Sequence, residues 1–333
     1  MMIRAAFAAL ALASTAYAVL FPPTTFGQAK DNAQEREGRG ALAILRRDGL
    51  LFPFASFNRD SWQVTWPIDV EQVKVPTTLQ AIPEKWWGTR APEQWRVRLM
   101  AGEERTIAPM APQLFSIFCS RRLGLRTDYK AAQPPPGGVT NPYPKDGFAM
   151  TGNVPVEPIE SMDPSSPDWQ TLTLALTKEF ERTEAVTVNG VKIRTGWRHP
   201  LPDEFRSKFP VRMESWYRSP TDNPDWKVSY VELVRQYPPG PEDQGCGLET
   251  LVSGWVHLQN GGVRKTTLRG KITYCDRVGA TYMLPFGRIR PKDRWYWVFQ
   301  LSGWEDEWYD VALVGANEVR HVIEVRAGNR MCF

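Results

Sequence analysis

The sequence predicts an all-β protein, with a small N-terminal β-barrel or sandwich unit and a larger C-terminal antiparallel β-meander that forms a barrel or sandwich. Three observations predict this class. The chain contains 14 Trp, 15 Phe and 10 Tyr, and aromatic residues suit half-buried pleated surfaces. Its 28 Pro residues favour rigid turns. Short apolar or alternating runs recur between turn sequences along most of the chain, as in antiparallel β proteins.

Residues 1–18 have the pattern of a secretory signal peptide. Arg4 supplies the positive charge, residues 5–14 form an apolar stretch, and Ala16-Tyr17-Ala18 is a small-x-small cleavage signature. The alternative is an uncleaved anchor of about 17 residues, at the lower limit for crossing a bilayer. We expect cleavage and export to the periplasm, the cell surface or the medium. After cleavage no transmembrane span is expected, because no later stretch is apolar enough.

Composition divides the exported chain into four parts. A polar lead-in without periodicity covers residues 19–40, and a first β domain covers residues 41–130. Residues 131–170 are rich in proline, which removes backbone donors, and predict a linker or a strap packed across its neighbours. A second β domain covers residues 171–333.

Individual strands follow from local pattern. The first domain offers four apolar or alternating runs, at residues 50–57, 61–66, 95–100 and 114–119. The second offers eight, at residues 211–217, 226–237, 250–258, 266–275, 280–289, 295–301, 308–314 and 319–325. Asn189-Gly190 within residues 186–193 predicts a β-hairpin, because these residues accept the positive φ of a tight turn. Helix is expected to be minor, with one short turn near residues 202–209.

Four cysteines in an exported chain predict disulfides. If Asn260-Gly261-Gly262 is a hairpin tip, facing residues have numbers that sum to about 522. The residue numbers of Cys246 and Cys275 sum to 521, so the two cysteines lie within one residue of facing each other, which favours their pairing. Cys119 and Cys332 then remain, either joined or free. The alternative pairs Cys332 with Cys246.

Charge and motifs exclude several function classes. The chain has 41 Lys and Arg against 37 Asp and Glu, and loss of Arg4 leaves 40 against 37, a net charge of +3. This near-neutral balance argues against nucleic acid as a partner. The histidines, His199, His257 and His321, have no metal-ligand spacing, and no phosphate-binding or serine-hydrolase motif is present. We therefore expect no metal and no cofactor.

The densest mixture of carboxylates and aromatic rings lies at residues 302–310. Rings stack on the apolar faces of sugars and carboxylates accept their hydroxyl hydrogens, so this mixture suits a saccharide. Two such acids could also act as acid and base. The alternative is a strand junction with buried Trp and solvated acids. The candidate binding residues here are Trp304, Glu305, Glu307, Trp308 and Asp310.

Trp86-Trp87 is the second aromatic cluster. It predicts either an exposed binding platform or an apolar plug between strands. No residue is assigned a catalytic role.

Export, aromatic richness and the lack of a catalytic motif favour a non-catalytic envelope or extracellular protein that binds an envelope polysaccharide or a protein partner. One alternative is a carbohydrate-active enzyme that uses the carboxylates of residues 304–310. Another is a structural or assembly protein.

Overall fold

The fold consists of antiparallel β-sheets, which confirms the predicted all-β class. The computed structural model describes residues 38–59, 61–88, 91–137, 142–240, 245–304 and 306–329. The predicted signal peptide and most of the lead-in lie outside the described residues. Within them, 18 strands form three sheets.

The first sheet, here the N-terminal sheet, has the strand order β5-β4-β8-β1-β2-β7-β6, and β3 pairs with β2. Burial alternates along residues 95–99 and is almost continuous along residues 50–58, as their apolar patterns require. The strands are β1 (Arg39–Arg46), β2 (Leu50–Asn58), β3 (Ser61–Gln63), β4 (Trp95–Leu99), β5 (Glu104–Ile107), β6 (Pro109–Ile117), β7 (Ser120–Thr127) and β8 (Lys145–Met150).

The second half of the chain forms two five-stranded sheets. The helix-covered sheet has the order β10-β11-β12-β13-β14, and the C-terminal sheet has the order β18-β17-β16-β15-β9. Within each sheet four consecutive strands form the predicted meander. The strands are β9 (Val156–Glu157), β10 (Glu160–Ser161), β11 (Arg212–Pro220), β12 (Trp226–Gln236), β13 (Leu248–Gln259), β14 (Gly262–Tyr274), β15 (Thr281–Ile289), β16 (Tyr296–Gly303), β17 (Asp306–Val314) and β18 (Val319–Asn329).

The C-terminal sheet lies between the other two sheets. On one face its Tyr309 and Val311 pack with Phe52 of the N-terminal sheet in the largest apolar cluster. On the other face its Trp297 packs with Trp255 of the helix-covered sheet. Side chains of successive strand residues point to opposite faces, so each strand of this sheet contributes to two cores.

The largest difference from expectation is a long helix, α2 (Pro167–Thr195), where the Asn189-Gly190 hairpin was predicted. The hairpin prediction is wrong. Ser166 caps the helix by accepting a hydrogen bond from the Trp169 backbone N–H, and Gly196 ends it in the left-handed region. Buried residues at helical spacing bind it to the helix-covered sheet, and this packing outweighs the local turn preference. They are Trp169, Leu172, Leu176, Phe180, Thr183 and Glu184.

Two other helices have one turn each, α1 (Glu84–Trp87) and α3 (Asp203–Arg206), and a 3-10 turn covers Leu79–Ala81. The position of α3 agrees with the short turn predicted near residues 202–209. No helix among the described residues is long and apolar enough to cross a membrane.

The Pro-rich segment contributes one strand to each sheet. β8 lies between β1 and β4, β9 pairs with β15, and β10 pairs with β11. The described residues form one compact unit, and its largest apolar cluster takes side chains from both sides of this segment. The division into two domains stays a prediction.

The β13–β14 hairpin brings Cys246 and Cys275 together, as the register argument predicted. The residue numbers of facing residues sum to 521 at the hairpin tip and to 522 beyond a bulge at His257. The two Sγ atoms lie 2.10 Å apart and the Cα atoms 5.2 Å apart. Cys332 lies outside the described residues, and no described cysteine is free. The pairing of Cys119 with Cys332 stays a prediction.

Candidate functional site

A cleft of about 440 Å³ opens between the helix-covered sheet and the C-terminal sheet. The strands β12, β13 and β14 form one wall, and β15, β17 and β18 contribute to the other. Because β14 and β18 are the edge strands of their sheets, the cleft is open between two edges. We call it the intersheet cleft and define it by the residues Tyr230, Glu232, Arg269, Lys271, Tyr282, Trp308 and His321.

Glu232 is a buried carboxyl on the β12 wall of the cleft. Its Oε1 accepts a hydrogen bond of 2.7 Å from the Met283 backbone N–H. Burial raises the pKa of this carboxyl to about 7, although the bonds from Met283 and Ser215 oppose the shift. No cation forms an ion pair with it among the described residues. A carboxyl of this kind in a cleft marks a candidate site, because it binds or releases a proton near neutral pH.

His321 and Asp310 form a hydrogen-bonded pair on the opposite wall. His321 Nδ1 lies 2.7 Å from Asp310 Oδ2, and the carboxyl is fully buried while the imidazole is 44% exposed. The hydrogen bond to Asp310 raises the pKa of His321, and partial burial of the imidazole opposes the shift. Burial raises the pKa of Asp310, with the bond to His321 opposing it. The pair therefore holds an oriented imidazole at the mouth of the cleft.

Two basic side chains lie on β14, which forms the other edge of the mouth. Arg269 and Lys271 are both exposed, and residues two apart on a strand lie on one face about 7 Å apart. Neither forms an ion pair with any described residue. Both side chains line the intersheet cleft.

A second cavity of about 480 Å³ adjoins the intersheet cleft, because Tyr282 lines both. We call it the Trp304 pocket, after the predicted residue that lines it and is 48% exposed. Arg277 fixes Tyr282 between the two cavities. Its guanidinium lies 3.0 Å from the Tyr282 hydroxyl and holds both carboxylate oxygens of Glu214 at 2.8 Å.

The structure separates the predicted residues of β17. Glu307 points into the core beneath the N-terminal sheet, where Lys145 Nζ lies 2.6 Å from its Oε1. Asp310 is an odd number of residues away and therefore points to the opposite face. Trp308 lines the intersheet cleft. Glu305 lies outside the described residues.

Trp86 and Trp87 are buried in the core and contact Trp66, at ring-centroid distances of 5.9 and 5.3 Å. Their positions fit the apolar plug rather than the exposed platform. Trp304 and Trp308 are thus the predicted aromatic residues that line cavities.

The sequence pattern does not identify Glu232, Arg269, Lys271 or Tyr282 as candidate binding residues, and it assigns His321 no functional role. These residues come from four strands that only the tertiary structure brings together. One signal was available, because Glu232 interrupts the apolar run of β12 and Asp310 that of β17. A carboxyl within a buried strand is costly unless it has partners or a function.

Comparison with known proteins gives no match. No protein-family model matches the chain, and neither a curated protein nor a solved structure does. What the cleft binds therefore has to follow from its own chemistry.

Proposed function

We propose that this protein is an exported, non-catalytic binding protein whose ligand is a glycan segment of the cell envelope or the surrounding medium. The observation that carries the proposal is that Tyr282 lines two neighbouring cavities. Two adjoining cavities suit a chain of linked rings better than a single small molecule.

The sizes and surfaces of the cavities support this ligand. Volumes of about 440 and 480 Å³ fall within the usual range of ligand sites. The half-buried rings of Tyr282 and Trp308 and the exposed ring of Trp304 offer faces on which sugars stack. The polar groups beside them offer hydrogen bonds to hydroxyl groups.

Binding is a better account of the cleft than glycoside hydrolysis. Most hydrolases need two carboxyls on either side of one glycosidic bond. Glu307 and Asp310 point to opposite faces of the C-terminal sheet, and Arg277 holds Glu214 of the cleft in a bidentate ion pair. Of the two described carboxyls that line the cleft, Glu232 is therefore the one that no ion pair holds, and Asp310 beside the opposite wall is bound to His321.

Export is supported by the cysteine pair and by the signal-peptide pattern. The pairing of Cys246 with Cys275 suits an oxidising compartment, because disulfides persist outside the reducing cytosol.

The test is a thermal-shift screen of the mature protein against neutral and acidic oligosaccharides, with calorimetry on each hit. A ligand that prefers the native state must raise the melting temperature. We expect a hit whose affinity falls about tenfold or more, equal to about 1.4 kcal/mol, in Trp304→Ala. Phe205→Ala is the matched control, because Phe205 is 46% exposed and lines neither cavity.

Two results would contradict the proposal. One is the absence of any glycan hit, which would favour a protein partner. The other is turnover of a bound glycan that Glu232→Gln abolishes, which would favour the enzyme alternative.

A further inference from the structure

We infer that the glycan bound in the intersheet cleft is acidic, with carboxylates on its sugar rings. This inference rests on the proposed function and adds a class of ligand to it. It comes from the positions of the basic groups at the mouth of the cleft.

Arg269 and Lys271 present unpaired positive charge where a ligand would enter. Their strand β14 is an edge strand, and both side chains are exposed on the face that lines the cleft. In contrast, Arg218 of β11 and Arg277 in the turn after β14 are held in ion pairs. An unpaired guanidinium and an unpaired ammonium beside a cavity are suited to a carboxylate, which the guanidinium can bind through two hydrogen bonds.

His321 adds a third donor across the mouth when its imidazole is protonated. Asp310 occupies its Nδ1, so its Nε2 is the ring nitrogen left for a ligand. His321 and Arg269 both line the cleft and lie on the edge strands of two different sheets. A carboxylate between these two side chains would receive hydrogen bonds from both edge strands.

The acidic groups near the mouth do not cancel this positive charge. Glu214 is held by Arg277, and Glu232 is buried deeper in the cleft, where burial disfavours its charged form. Glu324 lies near His321 and Asp310, so the pair carries one further negative neighbour. Arg269 and Lys271 remain without a counter-ion among the described residues.

A glycan fits these charges better than a nucleic acid does. Nucleic acids carry closely spaced phosphates and are bound by an extended basic face. Of the four basic residues of β14, only Arg269 and Lys271 line the cleft, where they lie beside aromatic rings, and the formal net charge of the chain is only +4. A ligand with moderate negative charge and apolar ring faces matches this site.

The experiment compares uronate oligomers with their methyl esters, which keep the backbone and remove the charge. Oligomers of galacturonate and of mannuronate with guluronate are titrated into the mature protein by calorimetry at pH 7. We expect at least one acid form to bind about tenfold or more tightly than its ester, and its affinity to fall as salt is added.

Arg269→Gln with Lys271→Gln should abolish this preference. Both side chains are exposed, so the double variant should fold, and its melting temperature confirms this. Arg320→Gln is the matched control, because Arg320 is an exposed cation of β18 that does not line the cleft. It should keep the preference for the acid form.

The inference fails if acid and ester bind equally, if no uronate binds, if polyglutamate binds as tightly as the best uronate, or if the double variant keeps the preference. In these cases a neutral glycan that binds through Trp304 would still support the proposed function. If neither acidic nor neutral glycans bind, both proposals are wrong.

Discussion

Lys145 Nζ lies 2.6 Å from Glu307 Oε1 in an ion pair that is almost completely shielded from solvent. The pair joins β8 of the N-terminal sheet to β17 of the C-terminal sheet, and Tyr309 donates a further hydrogen bond to the same oxygen. A carboxylate that could have bound a sugar therefore connects two layers of the protein.

Lys145→Met should destabilise the protein by about 3 to 5 kcal/mol, because it leaves the Glu307 charge buried without a partner. Adding Glu307→Leu should recover much of the loss, since it removes the orphaned charge. Urea denaturation measures both variants. Arg105→Met, which breaks the exposed pair with Glu103, is the control and should have little effect. A single Lys145 variant as stable as the wild type would contradict the buried pair.

Glu232 should make the protein less stable as the pH rises. Its native pKa of about 7 is above the ordinary value of 4.5, so the native state binds this proton more tightly than the unfolded state does. The stability that it contributes is complete below pH 4.5 and is lost as the pH rises through about 7, on the order of 3 kcal/mol. Glu232→Gln should remove this loss, as measured by denaturation at pH 4 to 8. Glu71→Gln, at an exposed site, should leave the loss in place.

Asp310→Asn should lower the pKa of His321, because the neutral amide no longer stabilises the imidazolium. We expect the midpoint of its NMR titration to fall by about 1 pH unit or more. His257 is an internal reference, since burial lowers its pKa and its Nδ1 lies near the Ala316 carbonyl instead. An unchanged His321 midpoint would show that the pair does not form.

Gly190→Ala distinguishes the helix from the hairpin that the local sequence predicts. In a helix, alanine should raise the free energy of unfolding by up to about 1 kcal/mol, and only the flexible end of Arg194 is near the new methyl group. In an Asn-Gly turn, the same change would destabilise the protein. Gly196→Ala is the control, because Gly196 has φ of 74° at the end of the helix and alanine there should cost stability.

The strands were predictable because their signals are local. Alternation and turn residues mark β11 to β18, and counting residues about the turn at Gly261 located the disulfide. The helix α2 was missed because its signal is a stripe that begins at Trp169, whereas Asn189-Gly190 is a strong turn pattern over two residues. Burial of the apolar stripe against a sheet stabilises the helix by more than the two-residue turn preference opposes it.

The site was less predictable, for a different reason. Trp304 and Trp308 could be selected because they are clustered in the sequence. Whether a nearby carboxylate faces the same space depends on strand parity and on which sheet covers each face. Glu307 and Asp310 show this, since both are buried in β17 but on opposite faces. Arg269 and His321 line one cleft only because two sheets pack together.

The Pro-rich segment contributes β8, β9 and β10 to three different sheets, and this constrains the order of folding. Glu157 pairs with Arg288, which is 131 residues further along the chain. A chain that emerges with its N-terminus first cannot pair β9 with β15 until Ile289 has emerged. Until then the aromatic face around Phe52 lacks the strand that covers it. Such long-range pairs form slowly, and apolar surface stays exposed to solvent in the meantime. We therefore expect the emerging chain to remain prone to aggregation until its last strands are available.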